Sequence, residues 1–249
     1  MTQKTRIEWT EQTWNPVTGC TKVSAGCKHG YAERMARRLQ AMAAPGYARG
    51  FALTLHEDRL GQPLERKKPT VYFVCSMADL FHEGVPDAFI DRVLAVARQT
   101  PRHTYQILTQ RAERLPAFFA SRSVPPNVWL GVTVEDHRHG LPRIDHLRRI
   151  PARVRFLSVE PLLEDLGPLD LDGIGWVLVG GESGPAARPM RPEWALAVRD
   201  RCRVAGVAFL FKQWGAWGAD GVRRDKQANG RWLAGRLWDE RPESSGALL

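Results

Sequence analysis

The sequence has no apolar run long enough to cross a bilayer, and its opening stretch, MTQKTRIEWTEQTWNP, lacks the apolar core of a secretory signal. Both absences make the cytoplasm the expected location and leave no membrane partner. Cysteine is scarce: Cys20, Cys27, Cys75 and Cys202 are the only four. In a cytosolic chain such thiols point to metal binding or burial, not to a disulfide framework. No Gly-x-Gly-x-x-Gly follows the first clear strand, which removes the main sign of a dinucleotide-binding fold. No His-x-His or similar pair stands on an early strand, so a metal-dependent hydrolase using the carboxylates with His82 or His137 ranks last. Short-period repeats and low-complexity segments are also missing.

Positive charge, by contrast, is in excess. Lys and Arg number 36 against 27 Asp and Glu, a formal net charge of +9. Clusters stand at Arg34-Arg37-Arg38, Arg66-Lys67-Lys68, Arg143-Arg148-Arg149 and Arg199-Arg201-Arg203. The surplus fits contact with DNA, RNA or another polyanion, and equally fits a soluble Arg-rich protein. A hydrophobic share of 43% with 25% charged residues is that of a globular chain with a full core.

From residue 70 onward, apolar strand patterns alternate with helical ones. Strands are predicted at Val71–Cys75, Tyr105–Leu108, Val128–Val134, Val154–Val159, Trp176–Val179 and Val207–Phe211, with a weaker one near Arg6–Trp9. Helices are clearest at Tyr31–Ala43, Asp87–Arg98 and Pro192–Ala205, the last with Pro at its start and Gly206 as its stop. Alternation of this kind implies parallel strands with right-handed crossovers, in an open doubly wound sheet or a closed or partial barrel. The strand count favours the fold class α/β, a partial or irregular (β/α) barrel of the TIM type. Its expected extent is residues 1–214, including a cysteine loop at 14–31. A Trp/Gly-rich extension, 215–249, is expected to form a hairpin-like cap before a disordered end, its tryptophans packing the barrel rim.

In such folds function gathers where strands end. The predicted ends deliver Ser76, Met77 and Asp79; Thr109, Gln110 and Arg111; Thr133 and Glu135; Ser158 and Glu160; Gly180, Gly181, Glu182 and Ser183; and Lys212, Gln213 and Trp214. A helix cap explains any one of them, but a ring of them reads as a ligand site. Glu135, Glu160 and Glu182 would bring three carboxylates to one face, where one with a shifted pKa is a general base. Glu160, Glu182 and Lys212 are the candidate catalytic residues. The Gly180-Gly181 pair suits either a close backbone approach to a ligand or a plain tight turn. Cys20 and Cys27 lie in WNPVTGCTKVSAGCKHGYAERMA, a loop leading into a helix, where thiolates suit a soft metal or an iron–sulfur cluster. Cys202 and Cys75 read as core, Cys75 as a spare ligand, and His29 as a surface residue.

The segments IEWTEQTWNPVTGC, GCKHGYAERMA, VYFVCSMADLFHEGVPD, YQILTQRAER, NVWLGVTVE, VRFLSVEPLLE, WVLVGGESGPAARPM and FLFKQWG resemble, in order, a phage-associated family of unassigned function with a three-cysteine motif. That family is related to radical-SAM barrels such as spore photoproduct lyase. The resemblance implies a [4Fe-4S] cluster and S-adenosylmethionine, with Cys20 and Cys27 as cluster ligands. Ser76, Asp79, Thr133, Glu135, Ser158, Gly180, Gly181 and Tyr31 would hold the cofactor. It also implies a nucleic-acid or phage-linked substrate and a genomically associated partner protein. In the family the loop reads Cys-x6-Cys-x2-Cys-Tyr; here Gly30 occupies the third cysteine's place. Three thiolates leave one iron open to S-adenosylmethionine, whereas two leave a labile cluster or require another ligand. Two readings follow: a radical-SAM-type enzyme, or a non-catalytic nucleic-acid- or partner-binding protein on a degenerate barrel.

Overall fold

The computed structural model describes residues 3–5 and 7–242. Its strands are β1 (Gln3–Lys4), β2 (Gln12–Trp14), β3 (Val17–Thr18), β4 (Thr54–Leu55), β5 (Val71–Val74), β6 (Thr104–Thr109), β7 (Val128–Thr133), β8 (Val154–Val159), β9 (Trp176–Gly180) and β10 (Ala208–Gln213). The helices are α1 (Tyr31–Ala41), α2 (Gln62–Glu65), α3 (Asp87–Gln99), α4 (Arg114–Phe119), α5 (Leu141–Arg148), α6 (Pro192–Ala205) and α7 (Lys226–Asn229). The class is α/β, with the seven parallel strands of a partial (β/α) barrel. Among the described residues no helix is long and apolar enough to cross a membrane.

The chain forms two compact units. The first comprises Gly30–Gly131, the chain up to Val23, and Arg149–Arg153. Its strands run in the order β1-β2-β5-β6-β7, with β2 parallel to β5 and β5 parallel to β6. Tyr72 stacks on Tyr105 at 5.6 Å, and Trp14 meets Tyr105 edge-on at 5.6 Å. Thr100 and the Tyr105 hydroxyl share a 2.6 Å hydrogen bond, so the buried phenol keeps a polar partner. A separate two-stranded ribbon pairs β3 with β4, Val17 opposite Leu55. The expected early strand is displaced. Arg6 lies outside the described residues, Ile7–Trp9 are not a strand, and the first parallel strand is Gln12–Trp14 instead.

The second unit comprises Ser24–His29, Val132–Arg148 and the chain from Val154 onward. Its strands run β7-β8-β9-β10, with β7 divided by the boundary after Gly131; β8–β9 and β9–β10 pair in parallel. Every residue of β9 is buried, as its unbroken apolar run requires. Helix α6 begins with Pro192 in its first turn and stops at Gly206, whose φ of 66° is left-handed. Val207 N–H then bonds the Cys202 carbonyl at 2.9 Å, which satisfies a terminal acceptor of the helix. The tail folds back along β10: Phe211 N–H donates to Trp238 O at 2.9 Å, and the Trp238 ring lies 5.7 Å from Phe209. Isolated antiparallel bridges, Trp217 to Arg223 and Leu233 to Arg236, give the tail its hairpin character. The end expected to be disordered, 243–249, lies outside the described residues.

One side chain in the first unit fixes the turn that feeds β6 and β7. Asn127 Nδ2 donates to the carbonyls of Ala97, Thr100 and His103 at 3.0, 3.1 and 2.9 Å. Asn127→Ala should lower stability by about 1–3 kcal/mol in urea unfolding, because those carbonyls lose their donor. Asn127→Asp should cost more, since it aims a carboxylate at acceptors. Equal stability of the two variants would contradict this assignment.

Candidate functional site

In the first unit, the ends of β2, β5 and β6 meet in one hydrogen-bonded network. Cys75 closes β5 with a left-handed φ of 58°, and the chain then turns so that Ser76 Oγ and Met77 N–H donate to Asn15 Oδ1 at 3.1 and 3.3 Å. Asp79 is 5% exposed and saturated. Its Oδ1 accepts from Phe81 N–H and Thr109 Oγ1 at 2.9 and 2.8 Å, and its Oδ2 from Gln110 N–H and Arg111 Nη1 at 2.9 and 3.2 Å.

Arg111 is the hub of that network. Its Nε donates to Glu83 at 2.8 Å, its Nη1 to Cys20 Sγ at 3.5 Å, and its Nη2 to Thr21 Oγ1 and O at 2.7 and 3.2 Å. Burial opposes its charge, but Asp79, Cys20 and Glu83 together raise its pKa. The Glu83 carboxyl is held at about 2 by a backbone amide and by Arg111. His82 Nδ1 accepts from Gly84 N–H at 3.0 Å, which assigns the ring proton to Nε2, 3.0 Å from Thr21 Oγ1. Burial pushes this imidazole's pKa down, so it is a neutral donor fully used within the protein. Tyr31 opens α1 and is 61% exposed.

The second unit holds Ser24–His29, which makes one 3-10 turn over Ala25–Cys27. Arg188 fastens that turn. Its Nη2 donates to Ala25 O at 2.8 Å and to Glu182 Oε1 at 2.7 Å, while its Nε and backbone N–H reach Glu182 Oε2 at 2.9 and 2.8 Å. Burial pushes Glu182 up, yet the hydrogen bonds from Arg188 leave its pKa below the usual value. Glu160 is clasped by Lys212 Nζ at 2.7 and 2.8 Å. Thr133 and Ser158, 3% and 4% exposed, lie within the strands; the Thr133 carbonyl accepts from Arg143 Nη1 at 2.8 Å, and the Ser158 carbonyl from Val134 N–H at 2.9 Å.

Glu135 differs from the other acids. It is fully buried, and its Oε2 accepts from Arg143 Nη1 at 2.6 Å. Its Oε1 is buried with no hydrogen-bond partner among the described residues. Gly26 lies over it: a Cβ there would sit 3.3 Å from Oε1. The double glycine has a different use, because a Cβ at Gly181 would meet the Trp214 carbonyl at 2.0 Å. The room at Gly181 is taken by the chain itself, and Gly180 faces the Glu160 carboxyl.

The expected carboxylates are therefore where the strand ends put them, each held by a base rather than open. The partners Arg188 and Glu83, and the Asn15 anchor, were not anticipated. His137 pairs with Glu164 at 2.8 Å. Among the described residues no group of three or more His, Cys, Asp or Glu is arranged to hold a metal ion. None of the four cysteines is in a disulfide. Burial raises the Cys75 thiol and pushes Cys202, on α6, up to about 12. The donors do not fit a cluster held by three protein thiolates. Glu135 Oε1 is a buried acceptor that no described group donates to.

A family model described as a protein of unknown function, DUF5131, matches residues 4–242. The chain belongs to the DUF5131 family. No curated relative matches it. Among solved structures it is similar to spore photoproduct lyase complexed with dinucleoside spore photoproduct, at 12% identity and a TM-score of 0.49, over 81% of this chain and 63% of that one. A mutant of the same lyase with bound AdoMet and dinucleoside spore photoproduct matches at 12% identity and a TM-score of 0.47, over 72% and 58% of the two chains. The chain thus spans less than two thirds of the length of these lyase chains.

The buried pair gives a test. Arg143→Ala leaves a fully buried carboxylate with neither oxygen partnered, and stability should fall by about 3–5 kcal/mol in urea unfolding. Adding Glu135→Gln should recover part of that loss, since the uncompensated charge goes. A loss that the second substitution leaves unchanged would show that packing, not charge, is at stake.

Proposed function

We propose that this DUF5131 protein is a non-catalytic nucleic-acid-binding protein on a barrel of the radical-SAM type that has lost its cluster site. The observation that carries the reading is the donor set of the cysteine loop: two thiols, then Gly30 where the resembling family has its third. The internal pairing of Glu135, Glu160 and Glu182 with Arg143, Lys212 and Arg188 supports it, because paired acids are poor general bases. The net charge of +9 supplies the attraction for a polyanion.

A radical-SAM-type enzyme is the second reading. It is favoured by the retention of Cys20 and Cys27 and by the unpartnered Glu135 Oε1, an acceptor suited to a cationic or hydroxyl-bearing cofactor such as S-adenosylmethionine.

Anaerobic iron–sulfur reconstitution of the native chain and of Gly30→Cys separates the two. Gly30 has φ −53° and ψ 133°, which any L-residue adopts, so the variant should fold. The native chain should show no stable cluster absorption and release no 5′-deoxyadenosine from S-adenosylmethionine. Its binding to nucleic acid should weaken as salt rises and should be unaffected by Cys20→Ser or Cys27→Ser. A cluster with cofactor cleavage in the native chain would overturn the non-catalytic reading. Failure of the Gly30→Cys protein to hold iron would remove the enzyme reading even for its ancestors.

A further inference from the structure

Helix α1 uses only one of its faces. Ala36, 1% exposed, packs with Tyr47 and Met77, flanked by Ala32, Met35 and Leu39. The opposite side is basic: Arg34, Arg37 and Arg38 are exposed. Glu33 is the one acid on the helix, and it is already shared by Lys22 and Arg37 at 2.8 and 2.6 Å. Spacings of three, seven and eleven residues place Tyr31, Arg34, Arg38 and Met42 along one stripe about 16 Å long. Tyr31 and Met42 are 61% and 64% exposed, at opposite ends of it.

An exposed aromatic ring in line with guanidinium groups is a stacking platform beside phosphate contacts. Unpaired bases offer flat faces to such a ring, whereas a duplex hides them. From this juxtaposition we infer that the outer face of α1 binds single-stranded nucleic acid, a base lying on Tyr31 and phosphates on Arg34 and Arg38. Charge complementarity names the occupant: the face is cationic. The inference rests on the nucleic-acid reading above and adds the surface and the strandedness.

The test is fluorescence anisotropy with a labelled oligothymidylate and a duplex of equal length, across a salt series. The single strand should bind more tightly than the duplex. Arg34→Gln with Arg38→Gln should flatten the slope of log K against log salt by about 1.4, the effect of two lost phosphate contacts. Tyr31→Ala should weaken binding about tenfold with the salt slope unchanged, and Tyr31→Phe should retain affinity. Lys67→Gln with Lys68→Gln, exposed elsewhere on the first unit, should change little. All these side chains are solvent-exposed, so thermal unfolding should be the same throughout. Equal losses from the α1 and lysine pairs would overturn the inference in favour of diffuse attraction. Preference for the duplex, or tighter binding to phosphatidylserine vesicles than to the oligonucleotide, would overturn the occupant. No binding of either nucleic acid by the native chain would sink the underlying reading, whereas binding indifferent to α1 would sink this inference alone.

Discussion

Charge neutralisation at the carboxyl ends of the strands is the constraint on which the rest of this structure depends. A parallel sheet delivers acids to one edge, where water is partly excluded and an unpaired carboxylate is expensive. This chain answers each with a cation from nearby in sequence or across its own unit: Arg143 for Glu135, Arg188 for Glu182, Lys212 for Glu160 and Arg111 for Asp79. The cations do more than neutralise. Arg111 also grips Cys20 and Thr21, and Arg188 also grips Ala25, so the same pairs anchor both stretches of the cysteine loop. Basic residues that look like surface charge in the sequence are thus partly consumed as internal fastenings, each together with an acid, so the +9 surplus is carried by the remaining basic residues.

The elements that were legible are those whose physics is local. Helix α6 is bounded by Pro192 and Gly206, and α3 starts at Asp87 after Pro86. Strand β8 reads as an apolar run over Val154–Val159, with its bounds as expected. The first parallel strand was not legible. Gln12-Thr13-Trp14 has neither a β-branched run nor clear alternation, and it becomes a strand because β5 offers it a ladder, Gln12 opposite Tyr72. Tertiary pairing there overrides propensity.

The site divides in the same way. Positions at strand ends follow from the strands, so Ser76, Asp79, Glu135, Glu160 and Glu182 could be placed from sequence. Their partners could not. Arg188 follows Glu182 by six residues and Arg143 follows Glu135 by eight, spacings that no helix face or strand register predicts. Arg111 reaches Cys20 across 91 residues. The Gly180-Gly181 pair shows the same limit. Its lack of side chains signals a close approach, but only the structure says that what approaches Gly181 is the Trp214 carbonyl.

These fastenings bear directly on the cysteine loop. A loop shaped by metal would be expected to depend on its ligands for order. Here Thr21 takes two donors, from Arg111 and His82, and Ala25 takes one from Arg188, so the protein's own hydrogen bonds hold the loop on either side of Val23. The guanidinium of Arg111 also donates to the Cys20 sulfur at 3.5 Å. The oxygen Oε1 of Glu135 beneath Gly26 is a buried acceptor that those fastenings leave without a donor among the described residues.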